Sequence, residues 1–296
     1  MIKKDKLSFT GHDTFHCRSY WLKKGYDFVQ KGGQFNDNAV VELGVGRNMV
    51  NAIRYWLRSF GMTNEQDVLQ PMAKKIFDDE IGFDPYCEDK ATVWLLHYLL
   101  VTTRRASIYS LVFNRFRKER IEFTKTQLLD FLRKYCGQQN FTVQDSSLDR
   151  DIDVFLHNYK SGSRSKNIEE NLSGILQELY LVQSAGRIEN KEIFKIENQE
   201  RIDLPISIVL YAITQQLKGG LSISFQELLN AEDSIGSVFA LSSNGLMLKI
   251  EELLDAYPQE ITFKDDGGIR LLQFKHTFSE LEIFKPYHEA QPITFG

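Results

Sequence analysis

Three cysteines, Cys17, Cys87 and Cys136, are all that 296 residues hold, and no two form a CxxC pair. An odd and small number excludes a disulfide framework and reads as reduced thiols. Long hydrophobic runs are missing as well. The most apolar stretch, Val93 to Val101, contains His97 and gives way to Arg104-Arg105. It is too short to span a bilayer and reads as a buried helix. The opening MIKKDKLSF carries charge without the apolar core of a signal peptide. These absences predict a cytoplasmic protein with no membrane contact.

Signatures of catalysis are equally scarce. GVGRNM has too few glycines and no Lys-Ser/Thr for a phosphate loop, and no strand precedes it as a dinucleotide site requires. No Ser or Cys sits in a nucleophile elbow. His12, His16 and Cys17 have a spacing that metal ligands use, but a closed zinc site needs a fourth ligand and none lies nearby. Asp149, Asp151 and Asp153 are candidates for Mg²⁺. Their place in the first turns of a predicted helix explains them more simply, because the helix dipole favours carboxylates there. Glu189-Asn190-Lys191 has the Glu-x-Lys spacing of a nuclease strand, with no upstream Asp to accompany it. His12 and Asp13 are expected to cap or brace the first helix, the alternative being a buried His-Asp pair at a functional surface. The expectation is a chain that is not an enzyme, with no catalytic residue, no metal and no cofactor.

What is present is charge in the wrong place for its sum. The chain nets −4, yet residues 1–61 carry ten Lys/Arg against five Asp/Glu and residues 101–125 carry seven against two. The rest is therefore strongly acidic. Two basic segments on an acidic body fit local phosphate contact rather than non-specific coating of nucleic acid.

The first basic segment contains NAVVELGVGRNMVNAIRYWLRSF, residues 38–60, which reads as a helix-turn-helix. Val40 and Val41 lie on a short first helix, Gly44 ends it, and Val45-Gly46 makes the turn. Val50, Ile53, Leu57 and Phe60 recur at helical spacing as the buried side of a second helix. Its other side presents Arg47, Asn51, Arg54 and Arg58, with Asn48 beside them and no acidic residue among them. Arg bonds guanine edges or phosphates and Asn bonds adenine in a groove wide enough for a helix. Val40 stands where the motif usually has Ala, which loosens the inter-helix packing. Arg104 and Arg105 in the second basic segment complete the expected DNA-contacting set.

Elsewhere the periodicity predicts a mainly α chain with small β-hairpins, arranged as tandem helix-turn-helix or winged-helix-like units. Phe15, Tyr20, Trp21 and Leu22 are core candidates of a first helix that ends at Lys23-Lys24-Gly25. A long helix from about Ala91 continues through RRASIYSLVFNRFRKER. Thr124 is an N-cap candidate, as are Ser224, Ser234 and Ser242 or Ser243. Leu148, Ile152, Phe155 and Leu156 face a core, SGSRSKN is a flexible stretch, and IEENLSGILQELYLV reads as a helix. Hairpins are expected near residues 181–197 and 261–274, the second around DDGG. Domains are expected at residues 1–120, 121–200 and 201–296.

The runs FTGHDTFHCRSYWLKKGY, VVELGVGRNMVNAIRYWLRSFGM and FDPYCEDKATVWLLHYLL together resemble the bacterial domain of unknown function numbered four thousand and seven. The resemblance is dense over the first hundred residues and looser to the end. It touches His12, Thr14, Phe15, Arg18, Trp21 and Leu22 in the first motif. In the second it touches Gly44, Gly46, Asn48, Arg54 and Trp56. It implies gene neighbourhoods of phosphosulfate-reductase-like and DNA phosphorothioation genes, hence a role in DNA modification or defence. It also argues against zinc, because relatives often lack His16 and Cys17. The expected function is a non-catalytic component of such a system that binds duplex DNA and protein subunits. A protein scaffold or adaptor of the same system, or a transcriptional regulator, is the alternative.

Overall fold

A computed structural model describes residues 7–160 and 174–289. The chain divides into two compact units, Met1–Ile196 and Glu197–Gly296. Among the described residues no helix is long and apolar enough to cross a membrane.

The first unit opens with α1 (Trp21–Gln30), α2 (Ala39–Leu43), α3 (Arg47–Ser59) and α4 (Pro71–Phe77). Trp21 and Leu22 are buried as expected, whereas Tyr20 is exposed. The expected helix end at Gly25 is a correction: Gly25 lies inside α1, where a Cβ would stand 2.7 Å from Leu57 and 2.8 Å from Ile53. Glycine is required there for close approach to α3, at a cost in helix propensity of up to about 1 kcal/mol.

Next comes α5 (Lys90–Thr102), whose Asp89 cap accepts from the Ala91 amide. Ten of its thirteen residues are buried, Trp94 and His97 among them. A helix apolar all round belongs in the middle of a core. The His97 Nδ1 meets the Tyr159 hydroxyl at 2.8 Å. The expected continuation of this helix through the basic segment fails. Arg104 adopts φ 58° and breaks it, and α6 (Ser107–Leu111) restarts, followed by a π-helical turn at Val112–Phe116 and α7 (Arg117–Glu119). Arg117 is buried with its Nε donating to the Phe113 carbonyl, so it is no part of a basic surface.

A short strand, β1 (Glu122–Phe123), leads to α8 (Lys125–Gln138) and α9 (Asp145–Tyr159). Thr124 and Gln127 form a reciprocal capping box on α8. Leu148, Ile152, Phe155 and Leu156 are all buried on α9. Because α9 begins at Asp145, Asp149, Asp151 and Asp153 lie past its first turn, which corrects the dipole explanation. SGSRSKN lies outside the described residues, as does the start of IEENLSGILQELYLV. The remainder of that run is not an α-helix: Gln177–Leu179 form one 3₁₀ turn and Tyr180 turns left-handed. β2 (Gln183–Ile188) and β3 (Lys191–Lys195) then form the expected hairpin, giving the antiparallel order β1-β3-β2. Glu189 and Asn190 both have positive φ, as a two-residue turn of this twist demands. The Glu-x-Lys triplet is therefore a hairpin tip rather than a nuclease strand.

The second unit runs α10 (Ile206–Leu217), β4 (Ser222–Ser224), α11 (Phe225–Asn230), α12 (Ile235–Val238), α13 (Ser243–Ala256), β5 (Ile261–Asp266), β6 (Ile269–Phe274) and α14 (Glu280–Glu289). Ser224, Ser234 and Ser242 cap α11, α12 and α13 as expected. The β5–β6 hairpin turns at Gly267-Gly268, and the sheet order is β4-β6-β5. Each unit thus contains the same order of short strand, helices and hairpin, which α14 follows in the second.

Candidate nucleic-acid interface

Gly44 takes the left-handed conformation at the end of α2, with φ 61°. Gly46 is extended, and α3 starts at Arg47. Val50, Ile53, Leu57 and Phe60 are buried as the spacing predicts, joined by Ala52 and Trp56. Each fully buried large apolar side chain here contributes about 1.5–3 kcal/mol. On α2 the buried pair is Ala39 and Leu43, while Val41 is 84% exposed. Ala39, one position before Val40, is thus the small residue that α2 buries.

The outward face of α3 differs from its one-dimensional picture. Arg47, Asn48 and Asn51 are exposed and Arg54 and Arg58 are half-buried. Arg47 pairs with Asp37, and the Asn51 amide donates to Asp13 at 3.0 Å. Arg54 holds Asp67 through Nε at 2.9 Å and Nη2 at 2.6 Å. Arg58 holds the other oxygen of Asp67 at 2.8 Å and the Glu65 carbonyl at 2.7 Å. Asp67 reaches both because Asn64 shapes its loop, accepting from the Gln66 and Val68 amides. The stripe without acids is therefore framed by acids from neighbouring loops. Side-chain exposure falls along it from 66% at Arg47 to 40% at Arg54 and 23% at Arg58.

At its C-terminal end the stripe runs into a cleft of about 560 Å³. Arg58, Arg104 and Arg105 all line it, so two basic segments separate in sequence share one surface. Arg105 pairs with Glu65 at 3.0 Å.

The run FTGHDTFHC braces this helix. Thr10, Asp13 and Thr14 have positive φ, a concentration of backbone strain that only a rigid surround maintains. Asp151 of α9 provides it, accepting from the Thr10 amide at 3.0 Å and from His12 Nε2 at 2.5 Å, both acid and imidazole being buried. His12 Nδ1 accepts from the Thr14 amide at 3.2 Å, and the ring stacks on Trp56 of α3. A Cβ on Gly11 would meet the Tyr55 ring at 2.7 Å. His12 thus braces α3 against α9 rather than capping α1, and its acid is Asp151 rather than Asp13.

The other candidate ligands are dispersed. His16 stacks on His157, while Cys17 is buried with its amide donating to Asn158. Burial pushes the Cys17 thiol well up, so it stays protonated. Asp149 and Asp153 share Lys125 at 3.6 and 2.6 Å. Among the described residues no three His, Cys, Asp or Glu side chains form a group able to hold a metal ion.

The chain belongs to the family described as "Protein of unknown function (DUF4007)", whose model matches residues 9–287. No curated protein matches the sequence. Two solved structures are similar over 97% of this chain and 90% of theirs. A magnesium ion-bound SspB crystal structure is 27% identical with a TM-score of 0.83, and an SspB crystal structure is 26% identical with a TM-score of 0.80.

Proposed function

We propose that this family member is a DNA-binding, non-catalytic component of a bacterial DNA modification or defence system of the phosphorothioation type. Duplex DNA meets the outward face of α3. The observation that carries the reading is the junction of the α3 stripe with Arg104 and Arg105, which turns two basic segments into one surface. A groove-reading helix needs a rigid inner face and a chemically varied outer one, and α3 has both. The phosphorothioation context rests on the gene neighbourhoods that the family resemblance implies, and near full-length likeness to SspB supports a shared role. The repeated strand, helices and hairpin order supports winged-helix-like units in both halves.

One SspB structure holds magnesium. An all-protein cage does not fit the described residues of this chain, and the proposed DNA contact uses no ion. The adaptor reading draws on Asp37, Glu65 and Asp67, which offset part of the charge that phosphate would meet.

The test is binding of duplex DNA, with and without phosphorothioate, across a salt series. The parent is expected to bind with a log–log slope of about −0.9 per phosphate contact, and Arg47→Ala/Arg54→Ala to lose about one unit for each contact removed. A folded parent that ignores duplex DNA, or a folded double variant that binds as the parent does, transfers the assignment to the adaptor.

A further inference from the structure

The cleft beside α3 is built for more than a phosphate backbone. Arg58, Arg104 and Arg105 face a single carboxylate, Glu65, among its lining residues. Arg58 is fixed in place by Asp67 and the Glu65 carbonyl, so its guanidinium is oriented before any ligand arrives. Arg104 holds a left-handed backbone that places two arginines in succession at the break between α5 and α6. Ser107 Oγ accepts from the Ser8 amide at 2.8 Å and Ser110 Oγ accepts from Asn114 at 3.2 Å. With a lone pair engaged, each hydroxyl has its own hydrogen to donate. Leu7, Leu111, Tyr55 and Tyr135 complete the lining with apolar and aromatic surface.

We infer that the cleft is a nucleotide pocket in which the arginines take the phosphate, the serine hydroxyls donate to sugar or base acceptors, and the apolar and aromatic lining holds the base. Inorganic phosphate alone leaves that lining uncovered. The volume of about 560 Å³ lies in the range of roughly 300–1,000 Å³ that small-molecule sites occupy. Two sources supply this chemistry: a free mononucleotide, or a nucleotide displaced from a duplex lying along α3, since enzymes and sensors that handle single bases take them out of the stack. The second source rests on the DNA reading; the pocket itself does not.

Calorimetric titration of the full chain with deoxyadenosine monophosphate, deoxyadenosine and inorganic phosphate tests it. The nucleotide is expected to bind at least tenfold more tightly than either fragment. Arg104→Gln/Arg105→Gln should weaken it roughly tenfold to a hundredfold, as loss of charge-assisted hydrogen bonds does, with an unchanged circular dichroism spectrum. Glu65→Gln, which removes the carboxylate that lines the cleft, should tighten it and keeps the test valid if the double variant misfolds. Competition between the mononucleotide and a duplex containing one unpaired base assigns the ligand to DNA, and absence of competition assigns it to the free nucleotide. Equal affinity for nucleotide and phosphate, or no binding of any of the three, overturns the pocket. A parent that binds the mononucleotide but not paired duplex removes the DNA reading and leaves the pocket standing.

Discussion

Helices α3 and α13 are built alike on the inside and unlike on the outside. Each buries an apolar stripe at three- and four-residue spacing: Val50, Ile53 and Leu57 in one, Leu246, Ile250 and Leu253 in the other. Outward, α3 presents Arg47, Asn48, Asn51 and Arg54, whereas α13 presents Asn244, Glu251, Glu252 and Asp255. Each also pairs a cation with an acid, but in opposite sense. In α3 exposed or half-exposed arginines are framed by loop carboxylates, while in α13 the buried Lys249 is held by the more exposed Glu252 at 3.0 Å and by the Ile202 carbonyl. Inward pattern makes the fold; outward chemistry chooses the partner. A helix with the α13 surface repels phosphate, so of these two helices only α3 fits the DNA reading.

The largest expected effect tests the shared half of this comparison. Ile53→Ala and Ile250→Ala should each lower stability by roughly 2–5 kcal/mol in chemical denaturation, since both side chains are fully buried. A cost below about 1 kcal/mol at either position would show that one inner face is not packed like the other. A smaller effect tests the contrasting half. Asp67→Asn removes the carboxylate shared by Arg54 and Arg58, and should steepen the salt slope of duplex binding by about one unit if those arginines then meet phosphate. Glu252→Gln should leave duplex binding unchanged and cost about 1–3 kcal/mol, as expected for a hydrogen bond to a buried charge. Improved duplex binding by the α13 variant would break the contrast.

Local signals were legible and distant ones were not. The caps at Thr124, Ser224, Ser234 and Ser242, the turn at Gly44 and the two hairpins follow from residues a few positions apart, and all are present. Gly25 was misread as a helix end because its reason, the neighbouring α3, is nearly thirty residues away. His12 meets Asp151 across 139 positions, which no spacing reveals. Arg104 breaks a helix without glycine or proline, so propensity carries no warning. For the candidate site, the guanidiniums were visible but their acids were not. The Asn64 turn that aims Asp67 is a signal that could have exposed one of them, since Asn commonly bonds backbone two residues on.

The smallest effect compares two caps of the same design. In α8 the box is Thr124 with Gln127, which does not titrate; in α11 it is Ser224 with Glu227, which does. The Ser224 hydroxyl donates to Glu227 at 2.6 Å and its amide at 3.0 Å. These bonds, the hydroxyl's first, hold the Glu227 carboxyl below its ordinary value. A depressed folded value means the bonds favour the folded state above the carboxyl's unfolded pKa, and that this contribution disappears as pH falls through the folded one. Because Glu227 is exposed, solvent screening keeps the loss on the order of a few tenths of a kcal/mol. Hydrogen exchange between neutral and acid pH should therefore show the first turn of α11 losing protection relative to that of α8, once intrinsic rates are divided out. Glu227→Gln should remove the difference by making the second cap as insensitive to pH as the first. Parallel behaviour of both caps in the unmodified chain would show that the carboxylate adds nothing a neutral amide does not.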